Sequence, residues 1–243
     1  ASTNPVFTDE GGWNVARVCG RDDAQGLVAG GFLANHYKDK KVAIVDDKSA
    51  YGKGLADATR TAMEAAGLKA TLVESINPGE KDYSALVSKL KDAGVDAIYF
   101  GGYHPEGALI LKQLREQGSQ AQMLSGDSMN NVEFWTIAGQ AADGMIFTFA
   151  PEPRDNPAAK DLVAKFKAEG YDPEGYTLYT YAAFQMYAQA AAGAKTTDNK
   201  ALAEWLRAGN VTHTVLGDLK LDAKGDLVGA KYVWYKFHDG KYA

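Results

Sequence analysis

The sequence predicts an α/β protein built on a mostly parallel sheet. Two observations carry this. Between Lys41 and Phe149, short β-branched runs alternate with stretches of apolar residues at helical spacing, the pattern of consecutive βαβ units. The composition is also globular: 46% of the 243 residues are apolar and 23% charged. That is too apolar for a disordered chain. No run approaches the roughly 18 consecutive apolar residues of a membrane-spanning helix.

Residues 41–46 (KVAIVD) form the first strand and end in acidic turn residues. Residues 52–66 place Leu55, Ala58, Ala62 and Ala65 on one helical face, and Gly67 stops the helix. The alternation continues with strand 70–75, helix 83–93, strand 96–100, helix 106–117, strand 122–125, helix 132–137 and strand 145–149. Open parallel sheets take ligands beyond the carboxyl ends of their strands. The loops after Val45, Phe100 and Ser125 are therefore where function is expected.

The pattern changes at Pro151, where Pro151, Pro153 and Pro157 punctuate a crossover. Three helices follow without strands between them: 158–169, 176–192 and 199–208. The middle helix is apolar nearly all round (Tyr179, Tyr181, Ala182, Phe184, Met186, Tyr187, Ala188) and is expected to be buried. Short strands at 212–216 and 218–221, a turn at 222–226 and a last strand at 230–237 complete the chain. Residues 41–149 thus make a self-sufficient layered structure. Residues 151–228 supply helices with no adjacent parallel sheet to cover.

Several function classes are excluded. A net charge of −5 argues against nucleic acid, which needs a basic face. Cys19 is the single cysteine, so neither an internal disulfide nor a multi-cysteine zinc site is available, and it reads as a small buried hydrophobe. His36, His104, His213 and His238 lack the spacing of metal ligands. The turn Tyr51-Gly52-Lys53-Gly54 lacks both nucleotide-binding glycine patterns, and Ser125-Gly126-Asp127-Ser128-Met129 is not a nucleophile elbow. Neither an enzyme nor a cofactor is expected.

What remains is a set of polar groups on strand-end loops, Tyr51, Tyr103 and Asp127, with Ser2 and Thr3 at the chain start. A free amino acid needs an anion for its ammonium, donors for its carboxylate and an apolar surface for its side chain. Asp127 offers the first, Ser2, Thr3 and their backbone the second, and Tyr51, Tyr103 and Tyr176 the third. On residue types alone two readings stay open. Strand-end tyrosines also serve as surface packing, and an acid after a strand also serves as a helix N-cap.

At these residues the chain resembles a known family. Ala1-Ser2-Thr3-Asn4-Pro5, with Phe7-Thr8 after it, is similar to the ligand loop of branched-chain amino acid binding proteins, the Leu/Ile/Val receptors of bacterial ABC importers. Further matches follow in collinear order: Arg21-Asp22-Asp23-Ala24-Gln25-Gly26, Asp47-Lys48-Ser49-Ala50-Tyr51-Gly52-Lys53-Gly54 and Gly79-Glu80-Lys81-Asp82-Tyr83-Ser84. Tyr99-Phe100-Gly101-Gly102-Tyr103, Gly144-Met145, Thr180-Tyr181-Ala182-Ala183 and Asp222-Ala223-Lys224-Gly225-Asp226 complete the series.

The resemblance implies the type I periplasmic binding protein fold: α/β lobes joined by hinge crossovers, closing over a ligand in a cleft. It implies that the Ala1 backbone and Thr3 contact the α-amino and α-carboxylate groups, with Ser2 in the same loop. Tyr103 and Asp127 would close from the other lobe, Asp127 on the ammonium, with Tyr51 lining the cleft and Tyr176 on the ligand side chain. Relatives often carry Glu where this chain has Asp127, which leaves the ligand preference open. A periplasmic location, delivery to a membrane permease and the absence of covalent chemistry are implied as well.

The chain starts without an initiator Met or a basic-then-apolar leader, as expected of a processed or fragmentary product. In the family roughly a third of the chain precedes the ligand loop. The expectation is one complete lobe, residues 21–149 and 230–243, and a truncated N-terminal lobe, residues 1–20 and 150–229. Ligand binding by such a chain is expected to be weak or absent. Helices left without their sheet give the alternative expectation, self-association as a homodimer.

Overall fold

Five short runs, each followed by a polar turn, become the parallel strands of one sheet in the structure, a computed structural model that describes residues 2–243. The chain divides into two units: residues up to Arg21 with Ala150–Lys231, and Asp22–Phe149 with Tyr232–Ala243.

After a single helical turn, α1 (Val6–Asp9), the chain enters the second unit through α2 (Asp22–His36). It continues through β1 (Val42–Asp46), α3 (Ala50–Ala65), β2 (Leu72–Ser75), α4 (Ser84–Ala93), β3 (Ala97–Gly101), α5 (His104–Glu116), β4 (Gln122–Ser125), α6 (Val132–Ala138) and β5 (Ile146–Phe149). The first unit then takes α7 (Lys160–Ala168), α8 (Thr177–Ala194), α9 (Asn199–Arg207) and a hairpin of β6 (Thr212–Thr214) and β7 (Gly217–Leu219). The second unit is completed by β8 (Val233–His238) and β9 (Lys241–Tyr242).

The strand order is β2-β1-β3-β4-β5-β8-β9. The first five are parallel, and β8 and β9 add on as an antiparallel edge. β1 and β3 are buried along their whole length, so both read as unbroken apolar runs rather than alternating ones. Ser49 caps α3 by accepting the Gly52 amide at 2.8 Å, and Gly94 in the left-handed region ends α4. Phe134, Phe147, Phe237 and Tyr242 pack as a ring cluster under the antiparallel edge, with centroids 5.1 to 5.8 Å apart.

The structure differs from the sequence reading at three places. Residues 22–36, read only as a motif, form the 15-residue helix α2. Gly26, Gly30 and Gly31 dilute its pattern, since glycine disfavours a helix interior by about 1 kcal/mol. Two of them are required by close approach. A Cβ on Gly26 would lie 2.6 Å from the Ala58 Cβ, and one on Gly30 would lie 2.6 Å from the Ala62 Cβ and the Met63 amide of α3. At the other end, the last strand turns back at Gly240 to form the hairpin with β9, which is too short to show a pattern of its own. Finally, α8 is not buried all round. Leu178, Ala182, Met186 and Ala190 enter the core of their unit with Val163, Val215, Leu219 and Leu221. Tyr181, Phe184 and Tyr187 face solvent, Phe184 with 73% of its surface exposed. The unit's own core covers only one side of this helix.

Candidate functional site

β1, β3 and β4 lie side by side, and their carboxyl ends carry three of the expected residues. β1 leads through Asp47 and Lys48 to Ser49, and Tyr51 follows in the first turn of α3. β3 leads through Gly102 to Tyr103, which is extended and precedes α5. β4 leads through Gly126 to a short 3₁₀ turn that begins at Asp127.

The structure brings these three together. The Tyr51 hydroxyl donates to Asp127 Oδ1 at 2.9 Å and accepts the Ser128 amide at 3.3 Å. The rings of Tyr51 and Tyr103 lie 5.2 Å apart, tilted by 41°. Two hydroxyls lock the strand ends to each other: Ser125 donates to Phe100 O and Ser128 to Gly102 O, both at 2.6 Å. Gly126 has no room for a side chain, because a Cβ there would run into Leu55 and come within 3.1 Å of the Tyr51 hydroxyl. Ser128 had no distinguishing mark in the sequence. Its role is a contact across the sheet.

This end of the sheet is anionic. Asp127 is only 5% exposed, and Asp46 and Asp47 beside β1 are also buried. Neutral donors hold these carboxylates: the Tyr51 hydroxyl on Asp127, the Lys48 amide and Ser75 hydroxyl on Asp46, and the Ser49 amide and hydroxyl on Asp47. Neutral donors satisfy an anion without cancelling its charge, so Asp46 and Asp47 keep a negative potential at this end of the sheet. Burial, then the charges of Asp127 and Asp22, push the Tyr51 phenol well above its ordinary pKa. Tyr51 therefore stays a neutral O–H donor. Burial, then Asp47, also raises Tyr103, although 48% of that side chain's residue surface is exposed.

The remaining expected residues lie in the other unit. Ser2 is exposed, Thr3 is buried and Tyr176 is half-buried at the start of α8, its ring 5.2 Å from that of Tyr179 in an edge-to-face pair. Ala1 lies outside the described residues. A residue the sequence reading passed over, Arg17, is buried and binds the backbone of this opening segment. The available signal was its setting: a charge inside the apolar run Val15-Ala16-Arg17-Val18-Cys19, which demands buried partners. For metals, His238 and Asp239 at the β8–β9 turn, with Asp143 from the loop before β5, are the one group of three ligating residues among the described residues, and all are exposed. Both ring nitrogens of His238 already face carboxylates, at 2.9 and 3.3 Å.

A family model described as periplasmic binding protein matches residues 4–240. The chain is 50% identical over 244 residues to a Leu/Ile/Val-binding protein homolog of Brucella melitensis, a match covering 99% of this chain and 66% of that protein. An amino acid binding protein of Pseudomonas aeruginosa is 47% identical, with coverage of 99% and 65%. The chain thus spans about two thirds of the length of these relatives, 66% and 65%. Among solved structures, a leucine binding protein from Thermotoga maritima gives a TM-score of 0.89 at 29% identity, covering 100% of this chain and 70% of that one. A branched-chain amino acid transporter substrate binding protein from Streptococcus pneumoniae, in complex with isoleucine, gives 0.87 at 24% identity with coverage of 100% and 69%, a likeness of fold alone.

Proposed function

We propose, since this chain belongs to the periplasmic binding protein family, that it serves the capture of a branched-chain amino acid for delivery to the membrane permease of an ABC importer. Its mixed α/β architecture around a mostly parallel sheet is the type I fold of that family. The location that follows is extracytoplasmic, in the periplasm. No described helix is long and apolar enough to cross a membrane.

One observation carries the reading: a buried carboxylate, Asp127, held by a neutral phenol beside an exposed aromatic ring at the carboxyl ends of parallel strands. In this proposal Asp127 takes the α-ammonium, and Tyr51 and Tyr103 wall the site. Ser2, Thr3 and the Ala1 backbone meet the polar groups, and Tyr176 meets the side chain. The role is binding without covalent chemistry. Because the chain spans 66% of its relatives' length, binding is expected to be weak or absent, and of these we propose weak binding, with Kd of about 1 mM or above.

Amide-resolved NMR titration with leucine, isoleucine and valine tests this. Saturable shifts at Tyr51, Tyr103 and Asp127 are expected, with none from 4-methylpentanoate, which lacks the ammonium. Equal responses to both compounds, or none to any amino acid, would overturn the amino-acid reading. A micromolar or tighter Kd would overturn the weak-binding part.

The exposed face of α8 supports a second reading, self-association. Tyr181, Phe184 and Tyr187 are large aromatics on one side of a single helix, and such patches drive association. Sedimentation at tens of micromolar is expected to show a dimer that Phe184→Glu dissociates. A monomeric parent chain would rule this reading out.

A further inference from the structure

Arg17 is 3% exposed and engages all five of its N–H donors. Nε meets Asp226 Oδ1 at 2.6 Å. One terminal nitrogen donates to Ser2 O at 2.8 Å and Asn4 O at 3.0 Å, and the other to Thr8 Oγ1 at 2.6 Å and Pro5 O at 3.4 Å. Asp226 is buried too. It accepts the Thr8 hydroxyl at 2.8 Å on the same oxygen and Arg21 at 2.8 Å on the other. Arg21 and Lys224 in turn hold the Asp9 carboxyl well below the usual carboxylate range. The buried guanidinium is thereby neutralised inside its own unit, and three of its contacts go to backbone carbonyls of one short segment.

That arrangement orients the segment. Across a trans peptide the C=O and the next N–H point in opposite directions. With Ser2 O turned into the guanidinium, the Thr3 N–H points away from it. Pro5 has no N–H, and the Val6 N–H is taken by Asn4 Oδ1 at 2.9 Å. Of the amides that follow these three carbonyls, only that of Thr3 is left pointing away from the guanidinium without an acceptor among the described residues. Thr3 is buried, yet it has no hydrogen-bond partner among the described residues.

We propose that Arg17, held by Asp226, is a positioning residue that pre-forms residues 2–5 so that Thr3 receives the carboxylate of the ligand. This rests on the amino-acid reading above and assigns its carboxylate-selective element. Lysine could not substitute, because a point charge with three donors cannot reproduce the planar fork that reaches Asp226, Thr8 and three carbonyls together.

The test uses the whole chain with Arg17→Lys, and Asp226→Asn as the milder second variant. The first readout is amide hydrogen exchange without ligand. Residues 6–9, whose amides bond back to Asn4 and Pro5, are expected to exchange at least tenfold faster, with Asp22–Phe149 unchanged. The second is leucine against leucinamide, which keeps the ammonium and side chain but lacks the carboxylate. The leucine preference is expected to fall about tenfold in both variants, leucinamide binding staying within twofold. Unchanged exchange, or faster exchange with an unchanged preference, would overturn the proposal, since a merely structural role weakens both compounds alike. If the parent chain binds neither compound, the amino-acid reading fails and the carboxylate role with it. The exchange readout still reports on its own whether Arg17 holds the segment.

Discussion

Asp127→Asn is expected to abolish the leucine response of this chain without unfolding it. The substitution keeps the volume and an oxygen that accepts the Tyr51 hydroxyl, now 2.9 Å from Oδ1. It removes the charge. Truncating one partner of a buried, hydrogen-bonded charge pair costs about 2–5 kcal/mol of binding, and about 1.4 kcal/mol is tenfold in affinity. A weak Kd therefore moves beyond measurement. Urea unfolding separates this loss from a loss of fold, since the amide keeps the volume and the oxygen that accepts Tyr51. Tyr51→Phe removes a hydrogen bond to a charged group, worth about 1.5–3 kcal/mol to the fold, but keeps the charge that takes the ammonium, so its effect on binding is smaller, about fivefold. Titration of the three proteins with leucine, alongside urea unfolding, checks both halves. A wild-type response from Asp127→Asn would remove Asp127 from the site.

The second large effect separates two adjacent glycines of α2. Gly30→Ala is expected to destabilise the protein by about 2–3 kcal/mol, although alanine is the better helix former. The new methyl would sit 2.6 Å from the Ala62 Cβ, the Met63 amide and the Thr59 carbonyl, and two of those are backbone atoms that cannot step aside. Overpacking of this kind costs about 1–3 kcal/mol, and the helix-propensity gain of about 1 kcal/mol does not offset it when the neighbour is rigid. Gly31→Ala points into open space, with nothing within 4 Å, and is expected to stabilise by about 0.5–1 kcal/mol. At about 2–4 °C per kcal/mol for a chain of this size, the midpoints move in opposite directions, by about 4–12 °C down and about 1–4 °C up. Equal shifts in the two variants would mean that α2 and α3 do not pack backbone to backbone.

The same glycines explain what the sequence conceals. β1 and β3 are legible because burial on both faces writes an unbroken apolar run. α2 is not, because the residues that let it touch α3 are the ones that weaken its local helical signal. Tyr51, Tyr103 and Asp127 are legible as a group through a positional rule about strand ends. Ser128 and Arg17 are not, because their meaning is in contacts 26 and 209 positions away along the chain. α8 shows the limit of composition. An apolar surface all round a helix says what it could bury, not what covers it, and apolar residues are common on protein surfaces.

The antiparallel edge of the sheet has a consequence for how the chain is made. β5 pairs with β8, yet about 80 residues of the other unit are translated between them, at about 5–20 residues per second. For several seconds on the ribosome, β5 presents an unpaired edge, and Phe134 and Phe147 lack the Phe237 and Tyr242 rings that later cover them. Nascent chains in that interval are the natural clients of a holding chaperone. A ribosome paused just before Val233 would be the place to find one bound.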